Sequence, residues 1–281
     1  MQTLDNYINQ VKTLPPAPRL LPELLTVLRH DNVDCSKVVE LITFDPALTA
    51  KVLQTCNSTF FGASERVEDL QEAIARIGFN QIYRIVAAAI GERTLGAAQK
   101  GYGIARGELW RHSAVAAVAA QVIAHDLGEE ENVPFTAALL HDIGKLVLAG
   151  AMEGARARMR EETEENHQSL LEAEKKILGV EHAEVGGRVL ARWNFPDNLV
   201  AAVWHHHDPR KAAPHEHLAA YVYLGNMIAH LLGHGYGHQA YALTGRIEAL
   251  EMLKVTPDGF AEYMIQTQVR WEKVQSLLRV A

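Results

Sequence analysis

Residues 135–148 read Phe-Thr-Ala-Ala-Leu-Leu-His-Asp-Ile-Gly-Lys-Leu-Val-Leu. Apolar residues recur at three- and four-residue steps on both sides of the polar His141-Asp142 pair, the period of a helix and not of a strand. The stretch is therefore expected to lie in one apolar helix, Pro134–Ala149. The same period runs through almost the whole chain, and no sustained alternation of Val, Ile and Thr bounded by turns interrupts it. The expected fold class is all-α.

Working outward, helices are expected at Leu21–Arg29, from Asp34 through Ile42, and at Ala47–Cys56 behind a cap at Asp45 and a proline at Pro46. Others follow at Val67–Ile77, stopped by Gly78, and at Gln81–Ile90. Beyond the glycine-interrupted stretch Gly91–Gly107 come Glu108–His125, Ser169–Leu178, His182–Trp193, Asp197–His205 and Leu218–Leu232. A final helix, Pro257–Arg279, is capped by Thr256. The glycines Gly96, Gly101 and Gly103 mark a junction between two closely packed helical lobes. The expected division is 1–106, 107–235 and a helical extension at 236–281. No internal repeat has a fixed period.

The chain has 281 residues, 48% hydrophobic and 22% charged, so disorder, collagen and disulfide scaffolds are excluded. Its net charge of −7 argues against a nucleic-acid binder, which needs excess cations to displace phosphate counterions. Arg188 and Arg192 on one helix read as ion-pair partners or phosphate-pocket residues rather than as groove readers. The two cysteines, Cys35 and Cys56, stand in no CxxC arrangement and read as reduced thiols. The charged N-terminus carries no signal-peptide pattern, so the expected location is cytoplasmic. The uncharged run Leu218–Gly245 is interrupted by histidines and glycines and is not read as a membrane span. The segment RARMREETEEN, beginning at Arg156-Ala157-Arg158, reads as a solvated charged face.

Fourteen histidines are present, eight of them between His205 and His238. His141 and Asp142 are costly to bury unless each finds a partner, and a divalent ion satisfies both, imidazole and carboxylate being N and O ligands for such ions. A hydrogen-bonded buried pair is the alternative. His112 opens another apolar helix, and His182 and the triple His205-His206-His207 follow downstream. Lys145, one turn after His141, is placed to neutralise a phosphate, with a surface lysine as the alternative. His215, His217, His230, His234 and His238 read as surface residues. Gly233, Gly235 and Gly237 break the helix that the last three would need.

The series His112, His141-Asp142, His182, His206-His207 resembles the metal-ligand order of the HD superfamily of metal-dependent phosphohydrolases. The chain resembles that superfamily's HDOD branch, the output domain of bacterial signalling proteins. This second match rests on Leu14-Pro15-Pro16, Asp45-Pro46-Ala47-Leu48, Asn57-Ser58, Ala73-Ile74 with Gly78, Leu109-Trp110-Arg111-His112-Ser113, Leu139 to Lys145, and Arg192-Trp193-Asn194-Phe195-Pro196. The resemblance spans approximately residues 10 to 235. It implies a second lobe of HD type and a divalent ion (Fe, Mn, Zn or Ni) held by His112, His141, Asp142, His182, His206 and His207. Where catalytic relatives complete the site with Asp, this chain offers Asn226, a neutral and weaker ligand. The relatives that cleave cyclic di-GMP follow their paired histidines with an acidic residue and a Gly-Tyr-Pro element. Here His207 is followed by Asp208-Pro209-Arg210, and the one similar string, Gly235-Tyr236-Gly237, comes far too late, so that activity is not expected.

Two functions follow as expectations. The first is a non-enzymatic signalling module with a degenerate HD-type pocket, acting on protein partners in trans or by self-association. The second is a metal-dependent phosphohydrolase of nucleotides or phosphate esters, with Lys145 on phosphate and metal-bound hydroxide as base.

Overall fold

The computed structural model describes residues 20–28, 35–43, 45–58, 66–235 and 247–279. Expectations at Leu14-Pro15-Pro16, Arg29, Asp34 and His238 lie outside them. The described residues are helical throughout, apart from turns and one isolated bridge between Gln99 and Ile104, and the all-α expectation holds. The helices are α1 (Leu20–Leu28), α2 (Cys35–Thr43), α3 (Pro46–Cys56), α4 (Leu70–Ile77), α5 (Phe79–Leu95), α6 (Glu108–Asp126), α7 (Asn132–Leu140), α8 (Gly144–Arg160), α9 (Leu170–Leu178), α10 (His182–Arg192), α11 (Asp197–Trp204), α12 (Glu216–Ala229), α13 (Ile247–Met252) and α14 (Pro257–Arg279). Two compact units emerge: Gly91–Gln268 is the body of one, and the described residues of Pro18–Ile90 and Val269–Ala281 make the other.

In the smaller unit, local capping sets the boundaries. Asp45 accepts from the N–H groups of Ala47 and Leu48 at 3.1 and 3.2 Å and starts α3, as its sequence position implied. Helix α4 begins three residues later than Val67, because Asp69 caps it by accepting from Glu72 N–H at 2.8 Å. Val67 is held instead by Asn57, whose side chain donates to its carbonyl and accepts from its N–H at 2.8 and 2.7 Å. Gly78, at φ 78°, ends α4 in a conformation that side-chain-bearing residues rarely adopt.

The larger unit is built on α6, buried on every side from Leu109 to Ala124 except at Arg111. Its alanines let neighbours come close: a Cβ on Gly225 of α12 would lie 2.5 Å from the Ala116 carbonyl oxygen. Helices α7, α8, α10 and α11 complete the core around them. Helix α9 is started by a full capping box, Ser169 and Glu172 satisfying each other's backbone N–H groups. Ser169→Ala is expected to lower stability by ~0.5–2 kcal/mol, read from chemical denaturation.

One expectation is corrected here. His141 and Asp142 do not lie within a helix: α7 stops at Leu140, and α8 starts at Gly144 after a tight turn. His141 Nδ1 bonds the Ala138 carbonyl at 2.6 Å, while Ile143 N–H bonds the Leu140 carbonyl at 3.0 Å, a 3₁₀-type closure that redirects the chain. By composition the stretch Asn132–Glu165 holds an 18-residue window apolar enough to cross a membrane, but 78% of that window is buried within the fold, and the stretch is broken at this turn.

Candidate metal centre

Close backbone contacts within the larger unit bring the histidines together. A Cβ on Gly144 would fall 1.9 Å from the His182 carbonyl oxygen and 2.7 Å from Gly186 N, so only glycine lets the start of α8 touch the start of α10. A Cβ on Gly187 would meet Trp204 Cβ at 2.6 Å, which seats α10 on α11 and delivers the 205–207 turn. His112, His141, Asp142, Lys145, His182 and His206 thereby become buried in one region.

Asp142 stands at the middle. Its Oδ2 lies 3.4 Å from His141 Nε2, 3.8 Å from His112 Nε2 and 2.8 Å from Lys145 Nζ. Its Oδ1 lies 3.2 Å from His182 Nε2 and 4.0 Å from His206 Nε2. The donor atoms of His112, His141 and Asp142 fall within 4.8 Å of one another, as do those of His182, His206 and His207. One carboxylate thus faces two histidine clusters, an oxygen to each.

The outer nitrogens fix which way the rings present their lone pairs. His141 and His206 each follow a helix end and bond, through Nδ1, the carbonyl three residues back, Ala138 at 2.6 Å and Val203 at 2.7 Å. His112 Nδ1 bonds the His234 carbonyl at 3.1 Å, and His182 Nδ1 bonds Glu174 Oε2 at 2.8 Å. A carbonyl or carboxylate oxygen can only accept, so each Nδ1 carries the hydrogen and each Nε2 faces inward. Burial, aided by neighbouring histidines, pushes the pKa values of His112, His206 and His207 well below the usual histidine range. Burial also lowers His141, with Asp142 opposing. The neutral imidazole is the form that ligates.

His182 behaves oppositely. Burial lowers its pKa, but Glu174 behind it and Asp142 in front outweigh that and raise it. Burial alone would raise the Asp142 carboxyl. Lys145, with His141 and His182, overcomes this and holds it well below the usual carboxylate range.

The donor set fits a divalent ion. His112 and His141 face each other Nε2 to Nε2 at 3.3 Å, and His182 and His207 do so at 3.1 Å. Two nitrogens bound ~2.0–2.1 Å from one ion at angles of about 90–109° stand roughly 2.8–3.4 Å apart. His206 Nε2 is fully buried and has no hydrogen-bond partner among the described residues, as an inward donor awaiting an ion would have none.

The HDOD domain profile matches residues 14–209. The chain belongs to the HDOD domain family. An uncharacterized protein of Treponema pallidum (strain Nichols) is 25% identical over 227 residues, 80% of this HDOD chain and 44% of that relative, so the chain spans less than half of the relative's length. Two crystal structures share the fold. One is a candidate phosphohydrolase from Shewanella amazonensis SB2B, 23% identical, covering 97% of each chain with a TM-score of 0.72. The other is a candidate signal transduction protein from Marinobacter aquaeolei VT8, 21% identical, covering 100% of this chain and 61% of that one with a TM-score of 0.73.

Of the HDOD residues singled out from sequence, His112, His141, Asp142, His182, His206 and His207 come together, with Lys145 ion-paired to Asp142 and buried. The surface-lysine alternative for Lys145 is thereby excluded. Asn226 is buried on α12, one turn before His230, and its Oδ1 has no hydrogen-bond partner among the described residues. His205 is half-buried and stacks on Trp204. Arg188 pairs with Glu184 and lies over Trp204 at 4.9 Å, the first of the two roles expected of it.

Sequence reasoning missed Glu174, Tyr102, His230 and His234. Glu174 is fully buried, accepting from His182 N–H and from Tyr102 O–H, both at 2.7 Å. Its signal was present: Leu170, Ala173, Glu174 and Leu178 share one helix face, a carboxylate on an apolar stripe. The expectation that His230 and His234 are surface residues is corrected. Helix α12 passes into a π-helical segment, His230–His234, which brings the His230 ring to 4.7 Å from that of His112 and the His234 carbonyl onto His112 Nδ1. Burial and Lys145 push His230 down to about 4, so its ring is neutral at pH 7.

Proposed function

We propose that this HDOD chain is a cytoplasmic signal-transduction module that holds a divalent metal in its larger helical unit and acts through protein partners in trans. The observation that carries the metal reading is Asp142, with inward imidazole nitrogens arrayed on both its carboxylate oxygens. His112, His141 and Asp142 would hold one ion, and His182, His206 and His207 a neighbouring one, Fe, Mn, Zn or Ni by ligand type. Bound there, such an ion supplies a fixed dication that ties the helices together and polarises whatever oxygen it meets.

Charge weighs against hydrolysis. Asp142 is the one carboxylate among the grouped donors, Lys145 already balances it, and Asn226 adds no charge. Apart from the half-buried His207, the donors are also buried, which suits an ion better than a nucleotide. The shared carboxylate favours, as a second reading, a two-ion phosphohydrolase in which Lys145 contacts phosphate.

The test is elemental analysis by mass spectrometry of tag-free protein purified without chelator, beside a His141→Ala variant. Near-stoichiometric transition metal in the wild type and its loss from the folded variant are expected. Neither protein holding metal while both are folded would overturn the metal reading. Phosphodiester or phosphomonoester turnover by the loaded protein, abolished in His141→Ala, would put the hydrolase reading first. Capture of signalling proteins from a lysate of the source cells should survive His141→Ala if the surface, and not the ion, makes the contact.

A further inference from the structure

The His112, His141 and Asp142 trio offers three donors, whereas a closed site for a first-row dication commonly has four. The end of α12 lies against the His112 side of this trio. Ring centroids run in an unbroken series from His230 to His112 at 4.7 Å, His112 to His141 at 5.2 Å, His141 to His206 at 4.9 Å and His206 to His207 at 4.0 Å. The His230 ring thus lies as close to that of His112 as the rings of His112 and His141 lie to each other. The segment is locked at this place from its far end, since the His234 carbonyl holds His112 Nδ1 and Gly233 turns the chain through φ 79°.

Electrostatics points the same way. The groups that His230 senses are Lys145, Asp142 and His141, all members or neighbours of the trio, and His112 senses His230 in return. One turn earlier on the same face, the buried Asn226 has an amide oxygen with no hydrogen-bond partner among the described residues, so this end of α12 presents two donors and no acid.

We propose that His230 is a further metal ligand, completing a site of three imidazoles and one carboxylate with His112, His141 and Asp142. This rests on the metal reading above. The π-helical segment would then be the part of the fold that closes the centre, because it carries one ligand and orients another.

The experiment is a Zn²⁺ titration of the full chain, ¹⁵N-labelled at histidine and stripped with chelator, followed through the ring nitrogens by NMR. His230→Gln identifies the His230 signals, and circular dichroism checks that this variant is folded. The signals of His230 are expected to move with those of His112 and His141 over the same equivalents. His230→Gln should weaken Zn²⁺ binding at this site by roughly 10- to 100-fold, at least what a lost outer partner of a ligand produces. Substituted Co²⁺ should show altered visible bands in the variant. If the His230 signals stay fixed while those of His112 and His141 move, or if His230→Gln binds Zn²⁺ as tightly as wild type, His230 is not a ligand and the parent reading stands. If no ring nitrogen responds to Zn²⁺ and His141→Ala changes nothing, the metal reading fails and His230 with it.

Discussion

Lys145→Met is expected to destabilise the chelator-treated protein by about 3–5 kcal/mol, the usual result of removing one partner of a buried ion pair. Lys145 is 4% exposed and Asp142 1% exposed, with Nζ 2.8 Å from Oδ2. Methionine keeps the bulk of the stem but leaves the carboxylate buried with its compensating cation gone. A divalent ion would restore that compensation. The variant should therefore recover most of its loss when Zn²⁺ is added, and it should bind Zn²⁺ more tightly than wild type because the competing ammonium is absent. Thermal unfolding with chelator and with Zn²⁺ measures both. Equal melting temperatures for variant and wild type in chelator would show that Asp142 does not depend on Lys145.

The second large effect is expected at Gly144. Gly144→Ala places a methyl group where the His182 carbonyl oxygen lies 1.9 Å away and Gly186 N 2.7 Å away. Both obstacles are backbone, so no side-chain rotation relieves the clash and α8 must move off α10. The loss should reach or exceed the upper end of the ~1–3 kcal/mol typical of overpacking. It should also widen the 3.2 Å contact between Asp142 Oδ1 and His182 Nε2 and weaken metal binding. Gly150→Ala, six residues along the same helix, is the control. Nothing lies within 4 Å of its added Cβ, so a gain of up to ~1 kcal/mol from helix propensity is expected there. Comparable losses in both variants would contradict the close approach.

How much of this was legible beforehand depended on how local the cause is. Caps at Asp45 and Thr256 and the stop at Gly78 are decided by neighbouring residues, and they were read correctly. The grouping of His112, His141, Asp142, His182, His206 and His207 was legible because a family resemblance ordered residues that are remote in sequence. The break between Leu140 and Gly144 was not. Apolar spacing continues across it, and its cause is a side-chain bond from His141 together with a backbone contact to α10. His230 and His234 were misplaced for a related reason. Gly233 reads from sequence as a break in the helix these histidines would need, whereas its left-handed turn follows a wider π coil that stays against α6. Glu174 lay on a helix that looked ordinary by charge, and only its place on the apolar face marked it.

The inward-facing histidines also bear on how the chain folds. His112 and His141 are 29 residues apart, His182 and His207 are 25 apart, and the bond from His112 to the His234 carbonyl closes 122. Both cysteines are unpaired, so an ion gripped by these side chains would act as a cross-link in a chain that has no disulfide between them. In the chain-entropy description, a covalent link closing a loop of such lengths is worth ~3–5 kcal/mol. Because the ligands come from separate helices, letting the ion go requires those helices to part. A loaded chain would thus be slow to unfold as well as hard to unfold, and a cell would meet it as a long-lived object.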